Sequence, residues 1–241
     1  TGVTLCGVAA TVTGVSGGTQ IVATAGAAAA AWPGDVRVFS TSFGETVKSN
    51  GFEYLRAEQA ALAFAPASPQ AYGTTNALAV SGGSGTGAVS YAVTGGPGMI
   101  VGGTNLAVTV GTGTVTVVAT KAQDDLYLAT AATATVVAVK ADQTIELLPV
   151  SGTAFILGAS TTVSAQASSG FVVALMNLTP EIANLAGTTI SFTNAGVARM
   201  VAYQEGDSNW NAAAVTNEWY VGGMITNVAP GRANVGGGIE V

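Results

Sequence analysis

The chain has 241 residues, of which only 8% are charged, and its formal net charge is −6. An acidic chain without a basic patch cannot neutralise phosphates, so nucleic acid is not an expected partner. The sequence contains no histidine and one cysteine, Cys6. It therefore lacks the commonest general base and zinc ligand, and it cannot form an intramolecular disulfide.

Residues 1–57 are predicted to be an N-terminal β segment. Val3, Leu5 and residues 8–12 indicate one or two strands, and residues 18–24 echo residues 113–120 in residue type. This echo suggests the closing strands of a repeat whose opening strands are missing. The segment is therefore expected to be an incomplete sandwich or a donor strand.

The same segment carries no charge before Asp35, but frequent glycines break its apolar character. A membrane-spanning helix needs about 20 predominantly apolar residues, so no membrane span is expected. Residues 43–56 are the most charged stretch and predict a hairpin or a loop leading into the next domain, with Asn50 and Gly51 as a turn signal. Because the chain starts at Thr1 with no basic, apolar leader, we expect a processed secreted protein, although a trimmed chain would look the same.

Two copies of one module are predicted to follow, over residues 58–140 and 141–222. At a fixed offset, Val118 corresponds to Val201, Asp124 to Asp207, and Tyr127 to Trp210. Short Thr- and Val-rich runs bounded by turn residues are typical of β-sandwiches. We therefore predict an all-β fold with two tandem sandwiches. Residues 223–241 form a Gly-rich tail with two strand-like pieces and no core of its own.

Two kinds of residue in the repeats are candidates for a site. Asp124, Asp125 and Asp207 are weak calcium candidates because hard cations prefer oxygen ligands, although an Asx-type turn explains them as well. Tyr127 and Trp210 are expected in the core together with Val118 and Val201. The alternative for the two aromatic residues is an exposed platform on which sugars stack.

The repeats resemble the modules of bacterial surface proteins. The resemblance is carried by residues 140–145 (KADQTI), 167–170 (ASSG), 178–183 (LTPEIA), 187–190 (GTTI) and 206–213 (GDSNWNAA). It is strong in the second repeat and faint in the first, and it does not extend to either end. It implies an extracellular array of immunoglobulin-like β-sandwiches, as in secreted adhesins and envelope filaments, and it transfers no catalytic residues.

The sequence predicts a structural protein, not an enzyme, with no cofactor. A half sandwich would expose an apolar face and free strand edges, which a strand donated by another copy could cover. Such a contact does not close, so subunits would polymerise head to tail at the cell surface. Residues 4–15 are the first candidate donor and residues 225–241 the second, with Cys6 in the joint. The expected assembly residues are Val3, Leu5, Val8, Val12, Val15, Ile225, Val228 and Ile239.

The alternative prediction is a stalk or a carbohydrate-binding module of a secreted adhesin. That protein would bind cell-surface glycans through aromatic residues exposed on one face, and it would remain a soluble monomer.

Overall fold

The computed structural model describes residues 1–223, and none of these residues forms a helix. The chain divides into two compact units, Thr1–Val139 and Lys140–Val241. The predicted all-β fold with two tandem β-sandwiches is confirmed. No helix among residues 1–223 could cross a membrane.

The first unit begins with a five-stranded antiparallel sheet, called here the N-terminal sheet. Its strands are β1 (Gly2–Leu5), β2 (Val8–Ser16), β3 (Gln20–Thr24), β4 (Pro33–Ser40) and β5 (Gly44–Glu53). Their order in the sheet is β3-β2-β1-β4-β5. Cys6 and Gly7 connect β1 to β2 with φ angles of 53° and 79°. Positive φ at both positions is what the type I′ turn of a tight two-residue hairpin requires.

The first sandwich completes this unit. Its strands are β6 (Leu62–Phe64), β7 (Gln70–Ala71), β8 (Thr75–Ala77), β9 (Val80–Gly82), β10 (Val89–Gly95), β11 (Gly98–Val101), β12 (Asn105–Val108), β13 (Gly113–Lys121) and β14 (Thr130–Val139). One layer has the order β10-β13-β14-β7, and the other consists of β11-β12-β8 and β6-β9. Both layers contribute to the core cluster of Leu78, Leu106, Val115, Val117 and Val136.

The second sandwich repeats this arrangement. Its strands are β15 (Ile145–Leu148), β16 (Ala154–Ile156), β17 (Ser160–Thr162), β18 (Ser164–Ala167), β19 (Ala174–Asn177), β20 (Ala183–Ala186), β21 (Thr189–Phe192), β22 (Gly196–Gln204) and β23 (Ala213–Gly222). One layer is β16-β23-β22-β19, and the other is β17-β21-β20 with β15-β18. Its core centres on Trp219, which meets Phe155 and Phe192 edge-on at 6.2 and 6.4 Å between ring centroids.

The two sandwiches share interactions as well as strand order. The Ser84 hydroxyl accepts a hydrogen bond from the Ala60 N–H at 3.1 Å, and Ser168 accepts one from Thr144 at 3.0 Å. In both sandwiches a short strand pairs in parallel with the last long strand, β7 with β14 and β16 with β23. The sequence repeat therefore corresponds to a structural repeat.

The prediction that Val118 and Val201 are core residues is corrected by the structure. Val115, Val117 and Ala119 are buried on β13, and Ala198, Met200 and Ala202 are buried on β22. Successive side chains of a strand point to opposite faces. Val118 and Val201 therefore lie on the outward faces and are only half-buried.

The N-terminal sheet also differs from the prediction. Strand β3, which contains most of the residues that echo residues 113–120, pairs with β2, and β2 and β1 separate it from β4. Strand β5 continues through Asn50 and Gly51, where the pairing with β4 shifts register, so these residues form an irregularity within a strand, not a turn. Residues 4–15 lie mostly in β1 and β2, each of which pairs on both sides within its own chain. They are therefore not a free donor strand.

Candidate assembly surface

One face of the N-terminal sheet is apolar. Val3 pairs with Ala10 and Val38, and Leu5 pairs with Val8 and Val36, so these side chains point to the same side. Val12 and Ala23 extend this face towards β3. We call this surface the apolar face. Its residues are Val3, Leu5, Val8, Ala10, Val12, Ile21, Ala23, Val36 and Val38.

Burial is concentrated at the centre of the apolar face. Val3 and Leu5 are 6% and 8% exposed, whereas the surrounding Val8, Val12 and Val36 are only half-buried. Neither core cluster of the described chain contains a residue of this sheet. A β-sheet buries an apolar face by packing it against another layer. Among residues 1–223, no second sheet packs on the N-terminal sheet, so this sheet buries few apolar side chains.

An aromatic cluster closes one end of the sheet. Tyr54 lies 6.0 Å from Trp32 and 5.0 Å from Phe52 between ring centroids, and its hydroxyl donates a hydrogen bond to the Gly26 carbonyl at 2.9 Å. The Cys6 thiol donates to the Phe52 carbonyl at 3.4 Å. The Cys6 thiol thus makes a hydrogen bond within its own sheet.

The two edges of the sheet differ in charge. Strand β3 has no charged residue, and Val22 on this edge is 53% exposed. Strand β5 carries Glu45, Lys48 and Glu53, and Glu45 pairs with Arg37 of β4 at 3.0 Å. Charged side chains on an edge strand disfavour pairing with another chain. Only the β3 edge lacks this protection.

The predicted assembly residues separate into three groups. Val3, Leu5, Val8 and Val12 lie together on the apolar face. Val15 pairs with Ile21 at the margin of this face, near the end of β2, and is 57% exposed. Ile225, Val228 and Ile239 lie outside the described residues. Sequence reasoning missed the contribution of Val36 and Val38, although their alternation with Arg37 and Phe39 was visible.

Asp124 stabilises a turn between β13 and β14. Its Oδ1 accepts backbone hydrogen bonds from Leu126 at 3.0 Å and from Tyr127 at 2.8 Å. Its Oδ2 accepts from the Thr86 N–H and hydroxyl. Backbone hydrogen bonds from Thr86, Leu126 and Tyr127 lower the pKa of Asp124 to about 2, because they stabilise the charged carboxylate.

The equivalent turn of the second sandwich depends on Asp207. Its Oδ1 accepts backbone hydrogen bonds from Asn209 at 2.7 Å and from Trp210 at 2.9 Å. This is the geometry of an Asx-type turn. In the described part of the chain, no group of three or more His, Cys, Asp or Glu residues could hold a metal ion. The calcium proposal for Asp124, Asp125 and Asp207 thus gains no geometric support from residues 1–223.

The two aromatic residues after these turns hold the segments that lead into each sandwich. Tyr127 forms a parallel bridge with Ala57, and Trp210 forms one with Ala141. Both aromatic side chains are half-buried. Their role as core residues stays a prediction, but their backbone position is the same in both repeats.

The turn containing Asp124 also attaches the N-terminal sheet to the first sandwich. The Arg56 Nε donates to the Asp124 carbonyl at 2.7 Å, and the Ala31 N–H donates to the Asp125 carbonyl at 2.9 Å. These bonds involve backbone carbonyls, so they do not use the Asp124 carboxylate. The N-terminal sheet is therefore anchored at its aromatic end.

Two of the open grooves among residues 1–223 can be compared by the residues that line them. One groove of the second sandwich, about 490 Å³ in volume, is lined by residues 165–167 and 170–173, none of which is ionisable. Another, of about 440 Å³, lies beside Trp32 and includes Glu53 and Arg56. Neither contains the paired acid and base groups on which general acid–base chemistry depends.

No protein-family model matches this chain, and no curated protein matches it significantly. Several solved structures do. Drosophila N-cadherin EC1-4 is 12% identical, with a TM-score of 0.28 over 84% of this chain and 61% of that chain. The insect immune protein hemolin is 11% identical, with a TM-score of 0.32 over 91% of this chain and 66% of that chain.

A third match is the three N-terminal domains of the bacteriophage RB49 outer capsid protein Hoc. It is 14% identical, with a TM-score of 0.26 over 85% of this chain and 82% of that chain. The chain therefore spans less than two thirds of the N-cadherin fragment and about two thirds of hemolin. At these TM-scores the likenesses carry no argument about source or role, and neither a bacterial origin nor an adhesin type follows from them.

Proposed function

We propose that this chain is a structural, non-enzymatic subunit of an extracellular or cell-surface filament. Copies join head to tail when one copy adds a strand to the N-terminal sheet of the next. The observation that carries this proposal is a single-layer sheet with an apolar face and one uncharged edge. Its partner is another copy of the same chain.

The N-terminal sheet is the best acceptor because both sandwiches are complete. Each has two layers with the same strand order, and residues of both layers form its core. A strand added at an edge of a sandwich would extend a sheet whose apolar side already packs against a second layer. A strand added at the edge of the N-terminal sheet would instead extend a single layer and its apolar face.

The donor then comes from the C-terminal tail, since residues 4–15 are paired in their own sheet. The tail includes Ile225, Val228 and Ile239 among many glycines. A contact between the tail of one copy and the sheet of the next joins two different surfaces. Such a heterologous contact does not close on itself unless the subunits form a ring, so it grows into an open filament.

A second function is favoured by tyrosines on one face of the second sandwich. Tyr203 and Tyr220 are 37% and 54% exposed on the outward face of β22 and β23. Exposed aromatic rings can stack on sugars, which fits a stalk or carbohydrate-binding module of a surface protein. This alternative predicts monomers that bind glycans and lose binding on Tyr220→Ala.

Sedimentation velocity over a range of concentrations distinguishes the two functions. The full chain is expected to form a series of oligomers, and a chain ending at Gly223 is expected to remain monomeric and folded. A full chain that remains monomeric at high concentration contradicts the filament. Glycan binding by that monomer would favour the stalk.

A further inference from the structure

We propose that strand β3 (Gln20–Thr24) is the acceptor edge and that residues 224–228 of another copy are the strand added to it. This inference rests on the proposed head-to-tail assembly and specifies its joint. The donated strand would extend the N-terminal sheet next to β3. The sheet order would become donor-β3-β2-β1-β4-β5.

The choice of β3 follows from the asymmetry of the two edges. Val22 of β3 and Val47 of β5 lie on the same face of the sheet, opposite to the apolar face, and are 53% and 44% exposed. The surroundings of Val47 contain Glu45, Lys48 and the Arg37–Glu45 ion pair. A strand added at β5 would have to desolvate these charges, whereas β3 presents only uncharged side chains.

The apolar face also favours the β3 edge. Ile21 and Ala23 continue this face to the last row of β3, whereas Lys48 pairs with Val36 and places a charge at the equivalent row of β5. Alternate side chains of a strand added beside β3 would meet Ile21 and Ala23. The added strand would thus extend the apolar face and pair its backbone in the same step.

The choice of residues 224–228 follows from their sequence, MITNV. This run is uncharged and has the same length as β3, which has five residues. Gly222 and Gly223 precede it and allow the chain to leave β23, while Pro230 follows and cannot donate to a ladder. The other strand-like piece of the tail, residues 239–241, is shorter and contains Glu240.

Alternation within the donor fits the two sides of the sheet. Met224, Thr226 and Val228 would lie on one side, and Ile225 and Asn227 on the other. With the first set on the apolar face, two of the three side chains there are hydrophobic. Thr226 would then lie at the middle of the added strand, close to the middle of β3.

Disulfide trapping tests the joint in the full-length chain. Cys6→Ser removes the natural thiol, and Val22→Cys with Asn227→Cys places one thiol on each strand of the joint, both on the side of the sheet opposite to the apolar face. Oxidation is expected to yield a ladder of covalent multimers on a denaturing gel. The matched control, Val47→Cys with Asn227→Cys, probes the β5 edge on the same side of the sheet and is expected to yield at most a trace of multimers.

Other outcomes overturn the assignment. A ladder from the Val47 pair places the acceptor at β5, and dimers from Val22→Cys alone indicate that two β3 edges pair with each other. A disulfide within one chain means that the tail folds back on its own copy. If sedimentation shows oligomers and neither cysteine pair cross-links, the joint is wrong while the filament stands; if sedimentation shows only monomers, the proposed function itself fails.

Discussion

Asp124 and Asp207 accept the same two backbone hydrogen bonds at equivalent turns, but Asp124 alone also bonds a second loop. Each Oδ1 accepts from the residues two and three positions later. Only Asp124 uses its Oδ2 to accept from Thr86. In the first sandwich, the Asp124 carboxylate therefore stabilises its own Asx-type turn and also links it to the loop that contains Thr86. This link lies on the side where the N-terminal sheet is anchored.

The hydrogen bonds to the Asp124 carboxylate predict that the stability of the folded chain depends on pH. The pKa of Asp124 is about 2 in the folded chain, against an ordinary value of 3.8. A lowered pKa contributes stability that is complete above the unfolded value and is lost as the pH falls through the folded value. Asp124→Asn is therefore expected to be less stable than the parent chain at about pH 5, and the two should converge near about pH 2. Thermal unfolding of both proteins across this range checks the prediction.

The control for this experiment is Asp207→Asn, which leaves Asp124 in place and should keep the parent's loss of stability between these pH values. If Asp124→Asn loses stability on acidification as steeply as the parent, the Asp124 carboxylate is not the group responsible.

The corrected core positions predict a contrast between neighbouring valines. Val117 is fully buried, so Val117→Ala removes two buried methyl groups and leaves a cavity, at a cost of about 2 kcal/mol. Val118→Ala changes a half-buried outward position and is expected to cost less than about 1 kcal/mol. Urea unfolding followed by circular dichroism measures both. Equal losses of stability in the two variants would contradict the assignment of Val117 to the buried side of β13 and Val118 to the outward side.

Gly34 is predicted to be intolerant of a side chain because Cys6 lies against it. A Cβ at Gly34 would lie 3.0 Å from the Cα, Cβ and Sγ atoms of Cys6. Gly34→Ala is therefore expected to destabilise the N-terminal sheet by about 1–3 kcal/mol, the usual range for overpacking. Gly2→Ala, in the same sheet, would meet only Phe39 at 3.9 Å and is expected to be near neutral.

The measurement for this pair is hydrogen exchange of the backbone N–H groups of β1 and β4. Faster exchange in Gly34→Ala than in Gly2→Ala supports the close contact with Cys6. Equal protection in the two variants would contradict it.

The tandem repeat could be predicted from the sequence because equivalent residues of the two repeats form the same turns. Asp124 with Tyr127 and Asp207 with Trp210 form matching turns, so the alignment located the strands on either side. The same alignment could not show which residues of each strand point into the core. It matched Val118 with Val201 correctly but did not show which side of the strand faces the core, because valine occupies both sides of β13.

The N-terminal sheet could be predicted only in part. Its apolar strands were visible, but its order depends on the tight turn at Cys6 and Gly7. Cysteine is not a residue that marks positive φ, so nothing in the sequence indicated that β1 and β2 pair directly. Without that turn, residues 4–15 resemble a free strand, so the sequence predicts a donor there.

A mixing experiment tests head-to-tail assembly most directly. One protein ends at Gly223 and retains the acceptor edge, and the other keeps its tail but carries Val22→Lys, which places a charge on that edge. Each alone is expected to be monomeric, and together they should form a complex with one copy of each and nothing larger, as measured by light scattering after size-exclusion chromatography. The absence of a complex, larger oligomers in the mixture, or self-association of the protein that ends at Gly223 would contradict the account.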